Sequence, residues 1–263
     1  MLEIKGLSCG YGAGGTKEHI VLSNFSLTLE KGDIWCILGR NGVGKTTLFK
    51  TMLGVLPPLG GTIKINGRSM EDMSRREIAR AIAYVPQYHN PPFAFTVKEI
   101  IVMGRNAYIG TFGAPTAGDE RIAEEVMEEL EISHLANRKY TEISGGERQM
   151  VLIARAMAQC PELLMMDEPS ANLDYGNQVR MLKMIGELSQ RGISIVFTTH
   201  DPEHAFLCRA KVAAIIGCRE TVTGEAEEII TEELIERMYG IRARIIRPGS
   251  GEENTPPGIV PYL

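Results

Sequence analysis

The stretch Gly39–Thr47, GRNGVGKTT, constrains this chain more than any other. It fits the phosphate-binding pattern G-x-x-x-x-G-K-[ST], with Gly39, Gly44, Lys45 and Thr46 in the fixed places. A phosphate held at a bend between strand and helix must be met by backbone N–H groups, and a side chain at the closest points would block it. Glycines at 39, 42 and 44 remove that obstacle and permit unusual backbone angles. Lys45 brings a point charge for the terminal phosphates, and the Thr46 hydroxyl suits Mg²⁺, a hard cation that prefers oxygen. The flanks agree. Asp33–Leu38 (DIWCIL) reads as a buried strand and Thr46–Leu53 as a short helix closed by Gly54. The pattern implies a nucleoside triphosphate ligand.

With 263 residues the chain can bury a sizeable core, as one large domain or a core with an insert. A formal net charge of −5 and the lack of any Lys/Arg run speak against a polyanion-binding surface, so no nucleic-acid partner is expected. No apolar run approaches the ~18 residues a membrane span needs. The start, MLEIKGL, lacks the basic and apolar regions of a secretory signal. Five cysteines (Cys9, Cys36, Cys160, Cys208, Cys218) show neither metal nor disulfide spacing and are expected to be buried thiols in a reducing compartment.

Residues 2–9 and 20–29 alternate apolar and polar, which predicts strands with one buried face around a flexible turn that opens at Tyr11. Gly60–Asn66 continues as a strand ended by the hairpin pair Asn66-Gly67. Ser74 and Glu77 have capping-box spacing at a helix start, and a strand follows over Ile82–Pro86, next to Gln87. From 88 to about 160 helical signals dominate. Thr96 and Glu99 form a second box, and Asp119 is expected to begin a helix with Ile122, Val126 and Leu130 on one stripe and Glu124, Glu125, Glu128, Glu129 and Glu131 largely solvated. The α/β pattern then returns, with a strand at Leu163–Asp167, a helix at Val179–Leu188, strands at Ile193–Thr198 and Val212–Ile216, and a helix at Glu232–Tyr239. The tail RPGSGEENTPPGIVPYL is expected to be loosely ordered from its composition.

Two further stretches carry chemistry. Asp167 and Glu168 follow LLMM, so they emerge at the carboxyl end of a buried strand, the edge at which ligands bind in an open α/β sheet. An Asp there can hold Mg²⁺, and the next carboxylate can orient or deprotonate the water that attacks the γ-phosphate. Ser144-Gly145-Gly146-Glu147 has capping-box spacing before a helical run. Two glycines at a helix start cost stability, which suggests a close approach, and the free N–H groups would suit a phosphate; an ordinary cap explains the spacing equally well. His200 and His204 stand four apart as metal ligands on a helix would, but Pro202 lies between them and His200 ends a strand. Met150, Met157, Met165 and Met166 occupy apolar positions as core filler.

Taken in order, Tyr11, GRNGVGKTT, Gln87, ISGGERQ, LLMMDEP, SANLD and His200 resemble the ATP-binding cassette (ABC) ATPases over roughly residues 1 to 240. The resemblance implies an α/β fold: a P-loop NTPase (RecA-like) core with an antiparallel β-subdomain over 1–87 and 160–240, an inserted α-helical subdomain over 88–159 carrying the signature ISGGERQ, and a C-terminal extension over 241–263. It implies that Tyr11 stacks on adenine while Gly39, Arg40, Asn41, Gly42, Val43, Gly44, Lys45, Thr46 and Thr47 cradle the phosphates. Thr46, Gln87 and Asp167 would hold Mg²⁺, Glu168 would be the catalytic base and His200 would contact the γ-phosphate. Ser144, Gly145, Gly146 and Glu147 would serve the ATP of a second copy in a head-to-tail sandwich, with Asp174 at the seam.

Within that family, TVKEIIVMGRNAYIG, SANLDYGNQ and ISGGERQMVLIARAMAQ look like the iron-siderophore, haem and cobalamin uptake ATPases, although Met150, Met166 and SAN depart from that group. That resemblance implies an importer ATPase on the cytoplasmic face of the cell membrane, with two membrane permease subunits and, through them, a substrate-binding protein. A molybdate or tungstate importer, an export ATPase and a soluble ABC ATPase remain alternatives. The segment Gln87–Phe95, with Tyr88, Pro91, Pro92, Phe93 and Phe95, is the expected docking place for a permease helix, although the aromatics could instead pack the insert on the core.

Overall fold

The computed structural model describes residues 1–12, 19–87, 93–110, 113–171, 173–249 and 255–262. The chain opens with two long strands, β1 (Leu2–Tyr11) and β2 (His19–Leu29). Next, β3 (Ile34–Gly39) runs through the glycine-rich loop into α1 (Lys45–Met52). After β4 (Gly60–Ile65), Asn66 and Gly67 take φ of 51° and 79°, the two positive angles of a type I′ turn, and deliver the short β5 (Arg68–Ser69). α2 (Arg75–Ala81) leads into β6 (Ile82–Val85). Helices α3 (Val97–Val102), α4 (Ala117–Glu129) and α5 (Gly145–Ala158) make up the middle of the chain. β7 (Leu163–Met166), α6 (Tyr175–Gln190), β8 (Ser194–Thr199), α7 (Glu203–Leu207) and β9 (Lys211–Gly217) restore the alternation. The chain ends with β10 (Glu220–Glu225), α8 (Ala226–Ile229), α9 (Glu232–Tyr239), β11 (Ala243–Ile246) and β12 (Gly258–Pro261).

Six strands form one sheet in the order β10-β9-β3-β8-β7-β6, parallel except for β10 at its edge. Its inner strands are apolar at nearly every position because both faces are covered. The period of two divides them cleanly. Cys36, Leu38, Leu164 and Met166 face a core shared with α3, α5 and α6, whereas Trp35, Ile37, Leu163 and Met165 face α1 and the second sheet. That second sheet is antiparallel, in the order β2-β1-β4-β5. The parallel strands end together: Leu38 lies opposite Thr199 and Met166 opposite Phe197, so the residues just after β3, β7 and β8 share one edge.

Several boundaries differ from expectation for identifiable reasons. α4 begins at Ala117, not at Asp119, because Thr116 is the cap and Asp119 returns the bond to the Thr116 N–H in place of the usual Glu. Its buried stripe is Ala123, Val126 and Met127, with the acidic residues from Glu124 to Glu131 exposed. α6 starts four residues ahead of Val179, since Asp174 caps it through the Asn177 N–H. Cys9, Cys36 and Cys208 are buried as expected, but Cys160 and Cys218 are exposed. Part of the tail is ordered: β12, within it, pairs antiparallel with β11 just ahead of it, Ile245 lies opposite Ile259, and both isoleucines pack on the main core. Among the described residues no helix is long and apolar enough to cross a membrane.

Candidate nucleotide site

The loop after β3 and the start of α1 form the floor of a cavity of about 480 Å³. Tyr11, Val21, Asn41, Gly42, Gly44, Lys45, Thr46, Thr47, Gln87 and Glu168 line it. Gly44 precedes α1 with φ 115°, and no side chain caps the helix start. The first N–H groups and the positive end of the helix therefore remain for an anion. A Cβ on Gly44 would come within 2.5 Å of the Val21 side chain, so glycine is also demanded by the neighbouring sheet, which sequence reasoning missed. Tyr11 stands at the rim, about half exposed, with its hydroxyl 3.2 Å from Thr47 Oγ1. Gly39, Arg40 and Val43 belong to the loop but not to the cavity lining.

Below the loop the carboxyl ends of β7 and β8 meet. Asp167 is buried; Thr198 donates to its Oδ1 at 2.6 Å and Thr46 to its Oδ2 at 3.1 Å. The chain then turns sharply: Glu168 has φ 46°, a left-handed conformation that side chains other than glycine rarely adopt. Its N–H is received by Thr198 Oγ1 at 2.8 Å, so one hydroxyl holds both acids in register. Glu168 faces the cavity, with Oε1 3.1 Å from Lys45 Nζ and Oε2 3.2 Å from Gln87 Nε2 and 3.4 Å from His200 Nδ1. Lys45, buried, also donates to the carbonyls of Gly39 (2.7 Å) and Arg40 (3.3 Å). Burial pushes the Tyr84 phenol up to about 12, helped by the neighbouring Asp167 charge, and keeps it a neutral group beside that carboxylate. Thr198 and Tyr84 were legible only as strand residues.

Ser144 to Glu147 and Asp174 do not line this cavity. Ser144 caps α5 in a reciprocal box: its hydroxyl and N–H donate to Glu147 Oε2 at 2.6 and 2.7 Å. Gly146 lies against Asn177, whose amide Nδ2 donates to Asp174 Oδ2 at 2.8 Å; a Cβ on Gly146 would sit 3.2 Å from that amide. His200 and His204 part company. His204 is buried, with Nδ1 2.9 Å from Thr199 Oγ1 and 3.3 Å from Ser170 Oγ, and burial lowers its pKa. Among the described residues no group of three or more His, Cys, Asp or Glu could hold a metal ion. Asn172 of SANLD lies outside the described residues.

Residues 22–171 match the ABC transporter family. The chain belongs to that family. This ABC ATPase binds ATP and couples its hydrolysis to transport. It is 41% identical to an uncharacterized ABC transporter ATP-binding protein of Haemophilus influenzae over 239 residues, covering 91% of this chain and 89% of that protein. The molybdate import ATP-binding protein MolC of the same organism is 35% identical over 223 residues, covering 84% and 83% of the two chains. Among solved structures, a chain of a metal-chelate type ABC transporter in an inward-facing conformation superposes with a TM-score of 0.86 at 31% identity, covering 100% of this chain and 97% of that one.

Proposed function

We propose that this ABC ATPase is the ATP-hydrolysing subunit of a multi-subunit importer. Two copies would stand head to tail on the cytoplasmic face of the cell membrane beneath two permease subunits, with a substrate-binding protein engaged through them. The metal-chelate type of its structural relative and the motif resemblance to siderophore, haem and cobalamin uptake support a metal chelate as cargo. The likeness to the molybdate import protein supports molybdate, or the related tungstate, as the second reading. The proposed domain division is 1–87 with 160–240 as core, 88–159 as helical insert and 241–263 as extension.

The single observation that carries the mechanism is the Lys45–Glu168 pair under the uncapped start of α1. An arriving γ-phosphate attracts Lys45 and frees Glu168, which then takes the proton of the attacking water as the oxygen bonds to phosphorus and the bridge to ADP breaks. Thr46, Asp167 and the amide oxygen of Gln87 would hold Mg²⁺ through oxygen alone, the donor that this hard cation prefers. When bound, that ion would neutralise charge on the phosphates. His200 and, from the second copy, Ser144 to Glu147 would meet the γ-phosphate from other sides, while Tyr11 receives the adenine.

Coupling is proposed to run through the segment after Gln87. Phe93 is 69% exposed and stacks edge-on with Phe95 at 5.9 Å between ring centres, an apolar step that a permease helix could cover. Residues 88–92, with Tyr88, Pro91 and Pro92, lie outside the described residues. The test is reconstitution with co-expressed permease subunits in liposomes. ATP-driven uptake of a ferric siderophore, haem or cobalamin supports the first cargo, and uptake of molybdate the second. In the same vesicles, cysteines at 93 and 95 should crosslink to the permease. Absence of any uptake and of crosslinks would count against both cargo and docking.

A further inference from the structure

The C-terminal hairpin is fastened to the loop that carries His200. Glu203 opens α7 three residues after His200. Its N–H donates to Asp201 Oδ1 at 2.9 Å, and its own Oε1 accepts the Ile259 N–H of β12 at 2.7 Å. From the other side, Tyr239 at the end of α9 donates its hydroxyl to the His200 carbonyl at 2.8 Å. Burial raises the Tyr239 pKa, so the phenol stays a neutral donor. Gly240, at φ 72°, turns α9 into β11, and Glu232 of α9 accepts the Ile245 N–H at 3.1 Å. Hairpin, α9 and the His200 loop thus close one ring of bonds around a cavity of about 350 Å³.

The loop needs such fastening. The His200 side chain is about half exposed, and among the described residues its one polar contact is Glu168 at 3.4 Å. On its inner side the backbone is tied by Thr199 Oγ1, which accepts the Asp201 N–H at 3.0 Å. Its outer side has Tyr239 and, through Glu203, the hairpin. A donor that stabilises a transition state works only when held in place before the reaction, and a misplacement of about 1 Å costs on the order of 100-fold in rate. His200, Glu203 and Tyr239 do not line the nucleotide cavity, whose floor is the start of α1 and whose rim is Tyr11.

We propose that the C-terminal hairpin, through the positioning residues Glu203 and Tyr239, sets the His200 loop for hydrolysis. The proposal rests on the reading of His200 as a γ-phosphate contact. The test compares the full chain with Glu203→Ala, Glu203→Gln, Tyr239→Phe and a chain ending after Arg242, each alone and on a His200→Ala background, with kcat, KM and the Kd of a non-hydrolysable ATP analogue as readouts. Loss of one such hydrogen bond should lower kcat about fivefold at unchanged KM and Kd. Shortening should lower it further, and Glu203→Gln, which keeps an acceptor oxygen, should restore most of the rate. On the His200→Ala background the same changes should add nothing. Normal kcat for Glu203→Ala and Tyr239→Phe while His200→Ala is impaired would overturn the proposal, as would losses of equal size with and without His200. A His200→Ala chain at the parent rate would instead overturn the reading of His200. Should the shortened chain not fold, the point variants decide.

Discussion

The molecule has two glycine-rich helix starts, and they are built in opposite ways. At α1 the cap position is Gly44, left-handed and without a side-chain bond, while Lys45, Asp167 and Thr198 are packed beneath it. At α5 the cap is Ser144, whose hydroxyl and N–H are both taken by Glu147, and the residues around it are largely exposed. An uncapped start leaves all its first N–H groups and its positive end for a ligand; the boxed start satisfies the N–H groups of Ser144 and Glu147 within the chain and leaves those of Gly145 and Gly146. One start therefore offers an anion its N–H groups from within a single chain. The other is a surface that acquires chemistry only when something is brought against it, which is what the proposed head-to-tail pairing does.

The sharpest way to break this contrast is at the buried start. Glu168→Gln removes the one carboxylate that faces both Lys45 and Gln87, so turnover should fall by about 100- to 10,000-fold. ATP binding should persist and even tighten, because Lys45 no longer has an anionic competitor. Steady-state hydrolysis and equilibrium binding measure the two halves separately. Turnover near the parent rate would remove Glu168 as the base.

Mixing chains tests whether the exposed start works for a neighbour. Lys45→Ala and Ser144→Arg chains should each hydrolyse little ATP. In a mixed pair both lesions fall on one nucleotide, leaving the other site whole, so the mixture should recover up to about half the parent rate per mixed pair, as a two-fold contact that makes each site from both copies requires. If labelled mixed pairs form and show no recovery, Ser144 does not act across an interface.

The buried start was readable because its pattern is local: GRNGVGKTT names the loop, and LLMM before Asp167 and Glu168 names the strand edge. What the sequence hid is long-range. Thr198 is thirty-one positions from Asp167, and nothing in ISIVFT marks the hydroxyl that aligns the two acids. Val21 lies on another sheet, yet it helps force glycine at 44. The capping boxes at Ser74, Thr96 and Ser144 were legible from spacing, whereas Thr116 escaped because its partner is Asp119, one carbon shorter than Glu. The hairpin at the end was obscured by composition. Pro, Gly and Glu between the strands read as disorder, but Ile245 and Ile259 bury enough surface on the core to pin two four-residue strands. His200 was legible as a strand-end residue; its fastening by Tyr239 and Glu203 was not.

The finest test of the contrast is a titration. The α2 box is a control: Ser74 N–H and hydroxyl hold the Glu77 carboxyl down from 4.5 to about 2. At α5 the Ser144 hydroxyl, followed by its N–H, lowers the Glu147 carboxyl in the same way. Both groups have folded values below their unfolded ones. What each adds to stability is thus complete above about pH 4.5 and fades as the pH falls toward the folded value. If two Glu168→Gln chains pair head to tail as proposed, the two boxes should part when ATP is bound. A phosphate brought against α5 is a like charge for Glu147 and disfavours its ionised form, whereas Glu77 has no such neighbour. Carboxyl carbon shifts followed as the pH is lowered from 6 to about 2, where Glu77 titrates, should therefore show Glu147 titrating at higher pH with ATP than without, and Glu77 unmoved. Identical curves for Glu147 in the two states would mean that the capped start never faces the nucleotide, and the difference between the two helix starts would then be one of folding alone.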